Sequence, residues 1–303
     1  MTPQQPGAAC ADDLDDLPLP PSASTRQVTR FRHGVPMAIP DVVIEETPVA
    51  LVYNGISHAV MLASPTDLED FATGFSLSEG IVARLGEIHD IEIKAHCSGV
   101  TLELDIAAER FVALKERRRS LAGRTGCGLC GIDSLDALSG MARAQALAGP
   151  PIDIAAIGAA LRALPGRQPL RESTGAAHGA AWVDMAGRIV HMREDVGRHN
   201  ALDKLIGCLA AKRIDTAQGF ALITSRASYE MVQKAINVGI HAVVAISAPT
   251  GMAVRLADEA GLLLAGFAND DRFVAYTQPR RLRGAVQSET DLRGMAALAA
   301  SNE

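Results

Sequence analysis

Between Val28 and Ala63 apolar and polar residues alternate in short runs, the period of strands buried on one face. Ala50–Tyr53 and Ile56–Ala63 flank Asn54-Gly55, a pair suited to the positive φ angles of a two-residue hairpin turn, so antiparallel sheet opens the first domain. The period then lengthens. Ser64-Pro65-Thr66-Asp67 offers a helix cap, a first-turn proline and an early acidic residue. Leu68, Phe71, Phe75 and Leu77 make an apolar stripe closed by Gly80, predicting a helix over Pro65–Glu79. Alternation returns at Ile91–Lys94 and Val100–Ile106, and helices are expected over Ala107–Arg119 and Asp133–Leu147.

A thin connector, Ala148-Gly149-Pro150-Pro151, and a short helix from Asp153 to Leu164 lead into a different rhythm. Ala180–Val183 and Arg188–Met192 flank a turn, and Ala201–Ala211 is helical. Strands at Ala221–Thr224, Ala242–Ser247, Leu262–Phe267 and Phe273–Tyr276 then alternate with helices at Tyr229–Val238 and Ala253–Glu259. Val243-Val244-Ala245-Ile246 is apolar on both faces, as a strand covered by helices on each side must be, and strand–helix–strand crossovers make such strands parallel. The expected fold class is α/β, or α+β over the whole chain: a layered mixed sheet with a smaller β-rich N-terminal domain.

At 303 residues the chain favours two domains. The expected division is a disordered tail over 1–27, a β-rich domain over 28–125, a cysteine loop and following helix over 126–150, an α/β domain over 151–285 and a C-terminal tail over 286–303. Hydrophobic residues make up 48% and charged residues 21%, and no apolar run reaches the ~18 residues a spanning helix needs, so a soluble protein without a membrane partner is expected. A net charge of −6 speaks against broad nucleic-acid binding, although Arg117, Arg118, Arg119 and Arg124 form a local basic cluster. Met1–Thr25 sets Asp12, Asp13, Asp15 and Asp16 among prolines and lacks the order of a secretory signal. Five cysteines in a chain of this size point to free thiols in a reducing compartment, the cytoplasm.

Candidate chemistry concentrates at two places. Cys127 and Cys130, in Arg124-Thr125-Gly126-Cys127-Gly128-Leu129-Cys130-Gly131, put two thiols within reach of one incoming atom on a glycine-rich loop. A zinc site would need two more ligands; Cys97 and His96 could supply them, but at an unfamiliar spacing. A dithiol redox pair fits the spacing but opens no βαβ unit. A zinc deaminase would need an upstream His-x-Glu and a proline before the first cysteine, and Gly126 stands there instead. The second place is a set of polar patches at element junctions: Glu172-Ser173-Thr174-Gly175 with His178, then Glu194-Asp195-Val196-Gly197-Arg198-His199-Asn200 with Asp203 and Lys204, then Ser225-Arg226-Ala227-Ser228. The bland reading makes Asp195 and Asn200 caps, pairs Arg198 with Glu194 and leaves His199 a satisfied core histidine. The other reading is an anion site at a helix start.

Cys127-Gly128-Leu129-Cys130-Gly131, Glu172-Ser173-Thr174-Gly175, the run Glu194 to Lys204 and Ser225-Arg226-Ala227-Ser228-Tyr229-Glu230-Met231-Val232-Gln233-Lys234 together resemble the formate dehydrogenase accessory sulfurtransferase family, FdhD, over about residues 28–283. The resemblance implies a cytidine-deaminase-like fold without zinc ligands, and a homodimer. It also implies a sulfur carrier that takes sulfur from a cysteine desulfurase as a persulfide on Cys127, assisted by Cys130. That sulfur passes to the molybdenum bis-molybdopterin guanine dinucleotide cofactor before insertion into formate dehydrogenase. The family's cofactor-binding stretch matches Phe267-Ala268-Asn269-Asp270-Asp271-Arg272. For the cofactor's two pyrophosphates and two guanines, Gly197, Arg198, Arg226 and Arg272 are the expected phosphate contacts, Glu194, Asp195 or Asp271 the guanine contacts, and His199 belongs to the same cluster. A non-catalytic cofactor-binding chaperone for formate dehydrogenase is the alternative.

Overall fold

The structure, a computed structural model, describes residues 17–122, 147–270 and 272–284. Cys127, Cys130, Arg124, all but the last residue of the helix expected over Asp133–Leu147, Asp271, most of the N-terminal tail and the tail 286–303 lie outside the described residues. The first elements are β1 (Ala23–Arg32) and β2 (Val35–Ile44), paired antiparallel in unbroken register from Ala23↔Ile44 to Arg32↔Val35. Ordered pairing therefore starts inside the stretch expected to be tail.

Next come β3 (Thr47–Tyr53), β4 (Ile56–Ala63), α1 (Leu68–Ser78), β5 (Ile88–His96), β6 (Gly99–Ile106) and α2 (Ala108–Ala122). The strands form one sheet in the order β4-β3-β6-β5. The hairpin turn is the expected one, with Asn54 at φ 45° and Gly55 at φ 79°. Asn54 does more than turn, because its side chain donates to the Ile106 carbonyl and accepts from the Ile106 amide, at 3.1 and 3.0 Å, tying the hairpin to β6. Val49, Leu51, Tyr53, Val100, Leu102 and Leu104 bury one face of this sheet against Leu68, Phe71 and Phe75 of α1.

Helix α1 starts at Leu68, three residues after the expected Pro65. The reason is long-range. The Ser64 amide donates to Asp195 Oδ2 and its hydroxyl accepts from the Val196 amide, at 2.9 and 3.1 Å, so Ser64 is spent on a distant segment and caps nothing.

The second layered unit runs β7 (Ile152–Asp153), α3 (Ile154–Ala163), α4 (Pro169–Thr174), β8 (His178–Asp184), β9 (Ile189–Asp195), α5 (Arg198–Ala211), β10 (Gly219–Ile223), α6 (Tyr229–Asn237), β11 (Ala242–Ala245), α7 (Gly251–Ala260), β12 (Leu263–Gly266), β13 (Val274–Ala275) and β14 (Leu282–Arg283). Six strands form a mixed sheet in the order β13-β12-β11-β10-β8-β9. β10, β11 and β12 are parallel; β8, β9 and β13 run antiparallel to their neighbours.

Alternation along the strands sorts their side chains into two cores. Ala180, Trp182, Ala221, Ile223, Val243 and Leu264 face α5, α6 and α7, whereas Ala181, Val183, Phe220, Leu222, Val244 and Leu263 face Ile157, Ala160 and Leu161 of α3. Each valine, leucine, isoleucine or phenylalanine among them contributes about 1.5–3 kcal/mol by leaving water.

The two sheets are joined through α1 and α5. A Cβ on Gly74 would lie 1.7 Å from the Asp203 carbonyl oxygen, and one on Gly207 would lie 1.9 Å from the Asp70 carbonyl oxygen. The helices thus cross backbone to backbone, at a separation no side chain permits. Two buried polar struts flank the crossing. Lys204 Nζ sits 2.7 Å from Asp195 Oδ2, both side chains fully buried, and donates to the Ser64 carbonyl at 2.8 Å. Lys234 Nζ reaches both Asp203 oxygens at 3.0 Å and Glu79 Oε1 at 2.7 Å, while the Ser78 hydroxyl donates to Asp203 at 2.6 Å. Burial raises the Asp203 carboxyl to about 6 even so. The carboxylates of Asp203 and Glu79 hold Lys234 above the ordinary ammonium range.

Candidate functional site: the carboxyl edge of the mixed sheet

Three parallel strands end at one edge of the mixed sheet, and each is followed there by a turn. β8 runs opposite to β10, so its first residue, His178, lies at that edge, and His178 pairs with Asp195, the last residue of β9. The starts of α5, α6 and α7 meet at the same edge, beside the point where parallel β10 and antiparallel β8 adjoin. Open α/β sheets place ligands at such a change of strand direction. No side chain caps α5 or α6, whose cap residues are Gly197 and Ser228.

Arg198 and His199 open α5. The Nε atoms of Arg198 (Nε) and His199 (Nε2), together with His178 Nδ1, are buried without a hydrogen-bond partner. Such polar atoms are costly unless water or a ligand meets them. Burial, together with the charges of Arg198 and Lys234, pushes His199 down to about 4. Burial first, then the guanidinium groups of Arg198 and Arg171, lowers His178 in the same way. Guanidinium groups thus stand beside both imidazoles, and burial keeps those imidazoles neutral near pH 7. Arg226 stands exposed in the turn after β10.

The turn after β12 supplies an aromatic ring. Phe267 takes φ 52°, a left-handed conformation costly for a bulky residue, and exposes 51% of its surface. Its amide donates to the Ser247 carbonyl at 3.2 Å and the Ala268 amide to the Ala245 carbonyl at 3.1 Å, so neighbouring turns hold the strain. Asn269 and Arg272 close the loop on each other: the Asn269 amide donates to the Arg272 carbonyl at 2.9 Å, and Asn269 Oδ1 accepts from the Arg272 amide at 3.1 Å. Asp270 is exposed and Ala268 buried.

Some expected site residues serve the scaffold instead. Glu194 accepts the Leu170 and Arg171 amides, one on each oxygen at 2.9 Å, and so holds the start of α4 rather than pairing with Arg198. Asp195 spends Oδ2 on Ser64 and Lys204, and Oδ1 on the Gly197 amide and Asn200 Nδ2 at 2.7 and 3.0 Å. The Gly197 amide is thereby taken as well. The carboxylate and glycine contacts expected from Glu194, Asp195 and Gly197 are thus occupied internally, whereas Arg198, His199, Arg226, Phe267, Asn269, Asp270 and Arg272 share the edge.

Sequence reading did not single out Arg171 or Gln168. Arg171 Nη1 donates to the Ala177 carbonyl at 3.3 Å beside His178, and Gln168 is buried with its Nε2 lacking a partner. The only local signal was Pro169, which starts the short helix α4 between them.

A cavity of about 630 Å³ lies elsewhere, between the C-terminal ends of α1, α5 and α6. Leu77, Ile206, Leu209, Ile214 and Val238 line it, with none of the converging titratable groups found at the sheet edge. Of the cysteines expected to be free, Cys208 is free and buried in α5, and Cys97, in the β5–β6 turn, is disulfide-bonded. No helix among the described residues is long and apolar enough to cross a membrane.

Comparison with known proteins identifies the family. A family model described as the FdhD/NarQ family matches residues 44–283. The chain is 54% identical to the sulfur carrier protein FdhD of Cupriavidus necator over 265 residues, covering 87% of this chain and 91% of that protein. It is 50% identical to the sulfur carrier protein FdhD of Xanthomonas oryzae pv. oryzae over 273 residues, 88% and 94% of the two chains. In fold it is similar to the crystal structure of a formate dehydrogenase accessory protein from Desulfotalea psychrophila, with a TM-score of 0.69 at 24% identity, covering 86% of this chain and 100% of that one. From the matched span and the identity along nearly its whole length, the chain belongs to the FdhD/NarQ family.

Proposed function

We propose that the protein is a cytoplasmic sulfur carrier serving formate dehydrogenase. Cys127 accepts sulfur as a persulfide from a cysteine desulfurase and delivers it to the molybdenum bis-molybdopterin guanine dinucleotide cofactor, held as cargo at the carboxyl edge. The observation that carries the cargo half of this reading is the group of buried, unpartnered nitrogens on His178, Arg198 and His199 beside two uncapped helix starts. Such a cradle suits a pyrophosphate. Exposed, strained Phe267 offers a stacking face for a purine, and Asp270 an acceptor for the guanine edge. With Glu194 and Asp195 occupied, Asp270 and Asp271 are the carboxylates left for that role.

The sulfur half balances without an outside oxidant. The Cys127 thiolate attacks the terminal sulfur of the desulfurase persulfide; a new S–S bond forms, the old one breaks, and the donor cysteine leaves as thiolate. Attack by the Cys130 thiolate on the inner sulfur of Cys127 would then release hydrosulfide and leave a Cys127–Cys130 disulfide, which a cellular dithiol must reopen. The names of the close relatives support sulfur carriage, and a homodimer is what the family resemblance implies.

Incubation with a desulfurase and free cysteine, followed by intact mass measurement, should add one sulfur atom to the wild type and none to Cys127→Ala. Labelling that persists in Cys127→Ala contradicts the assignment. The second reading, a chaperone that binds cargo without carrying sulfur, predicts that a Cys127→Ala/Cys130→Ala protein still restores formate dehydrogenase activity in a deficient strain.

A further inference from the structure

Cys97, exposed in the β5–β6 turn, is disulfide-bonded, and Cys208, buried in α5, is free, so the partner of Cys97 is Cys10, Cys127 or Cys130. The turn is firmly seated. A Cβ on Gly99 would lie 2.2 Å from the Pro48 carbonyl oxygen, and His96 Nε2 lies 3.0 Å from Thr101 Oγ1. A cavity of about 340 Å³ opens beside the turn, walled by Pro20, Pro21, Glu45, Pro48 and Cys97. Glu45 is also the foot of the β1–β2 ribbon. Its amide donates to the Ser22 carbonyl at 2.9 Å, and its carboxylate accepts from the Ser24 hydroxyl and from Arg26.

Chain length separates the three candidates. Pro20 lines the same cavity as Cys97, and Cys10 lies ten residues before it, so that stretch need only turn back on itself. Cys127 and Cys130 follow α2, whose Arg110 pairs with Glu87 at 2.8 Å and whose Arg117 donates to the Glu79 carbonyl at 3.1 Å. Both ties lie at the far end of the sheet: Ile88 pairs with Ile106 there, and Ser76, near the end of α1, meets Tyr53 beside Leu104. The eight residues of β6, at ~3.4 Å each, put that end about 24 Å from the Cys97 turn. A short loop whose ends already meet closes at lower entropic cost than a chain that must cross that length.

We infer that Cys10 is the partner of Cys97, and that the tail segment Cys10–Asp16 folds back over this cavity and clamps the foot of the ribbon to the four-stranded sheet. Charge does not hold it there. Asp12, Asp13, Asp15 and Asp16 come up against Glu45 and Glu46 of the cavity wall, so like charges repel the reduced tail and the bond decides its position. The bond forms by exchange with a small disulfide such as oxidised glutathione. The Cys97 thiolate attacks one sulfur and expels one glutathione thiolate; the Cys10 thiolate then attacks the Cys97 sulfur of the mixed disulfide and expels the second. Two electrons and the two thiol protons end on glutathione, and a reduced dithiol reverses both steps. An exposed disulfide of this kind is the labile, switchable sort in a reducing compartment. Neither Cys127 nor Cys130 takes part, so the inference stands whether or not sulfur carriage is correct.

Mass spectrometry tests it on full-length protein equilibrated with oxidised glutathione, blocked with N-ethylmaleimide and digested with trypsin without reductant. The peptide carrying Cys10 should appear joined to the peptide carrying Cys97, and dithiothreitol should separate them. Cys127→Ser/Cys130→Ser should keep the link. Cys10→Ser, a change in the tail, should leave Cys97 without a protein partner and quicken hydrogen exchange at the Glu45 amide by about 10-fold or more, as loss of a local restraint does. Cys97 joined to Cys127 or Cys130, Cys97 alkylated in the oxidised wild type, or exchange at Glu45 unchanged by Cys10→Ser would overturn the proposal.

Discussion

Replacing Lys204 by methionine keeps the length and packing of the side chain and removes only its charge. Lys204 Nζ lies 2.7 Å from Asp195 Oδ2 and 2.8 Å from the Ser64 carbonyl, and both charged side chains are fully buried. Removing one partner of such a pair strands the other and costs about 3–5 kcal/mol. Asp195 retains three N–H donors, from Ser64, Gly197 and Asn200, which places the loss near the lower end, about 3 kcal/mol. That is a fifth or more of a total stability of roughly 5–15 kcal/mol. At about 2–4 °C per kcal/mol for a unit of this size, the midpoint should fall by about 6–12 °C. Guanidinium titration and calorimetry read the loss directly. Adding Asp195→Asn to Lys204→Met should cost less than the two single changes summed, with a coupling of about 1–3 kcal/mol. A loss under about 1 kcal/mol in Lys204→Met, or strict additivity in the double variant, would refute a strut between the two sheets.

Three further outcomes follow from the same geometry. Gly207→Ala would place a Cβ 1.9 Å from the Asp70 carbonyl, so α1 and α5 must part, at a cost of about 1–3 kcal/mol in thermal unfolding; a neutral change would contradict the backbone crossing. His199 titrates near 6.5 unfolded and about 4 folded, so the unfolded chain takes up a proton that the fold excludes as pH drops from 6.5 to 4. Its contribution to stability is therefore unchanged above 6.5 and falls with acid, opposing Asp203, whose raised carboxyl gains stability over much of the same range. His199→Gln should flatten that loss relative to wild type in denaturation curves taken from pH 4 to 7, and a difference independent of pH would count against it. Arg198→Ala should weaken inorganic pyrophosphate binding by calorimetry about 10-fold or more, as loss of a charge-assisted contact does; unchanged affinity would remove Arg198 from the cradle.

What the sequence shows is mostly what local periodicity controls. Asn54-Gly55 announces its hairpin because the turn geometry is written in those two residues, and the two-sided apolar run at Val243–Ala245 announces a covered parallel strand. The edge itself was visible too, since Arg198, Arg226 and Phe267 stand where strands end. The destination of a side chain was not. Glu194 and Asp195 look like ligand carboxylates in the run Glu194-Asp195-Val196-Gly197, yet their donors come from Leu170, Arg171, Ser64 and Lys204. Nor do Gly74 and Gly207 carry any local signal, because each matters only where one helix crosses the other. Ser64 reads as a cap for the same reason: the competing partner lies 131 residues away.

The central claim joins a thiol that carries sulfur to an edge that holds the nucleotide cargo, and one transfer assay addresses both. Protein loaded with radiolabelled sulfur by a desulfurase is freed of donor and mixed with the molybdenum bis-molybdopterin guanine dinucleotide cofactor, and label is counted on the re-isolated cofactor. The account predicts label on the cofactor from wild type, none from Cys127→Ala, and a strongly reduced amount from fully loaded Arg198→Ala. Equal transfer from Cys127→Ala and wild type, or no transfer from loaded wild type, would contradict it.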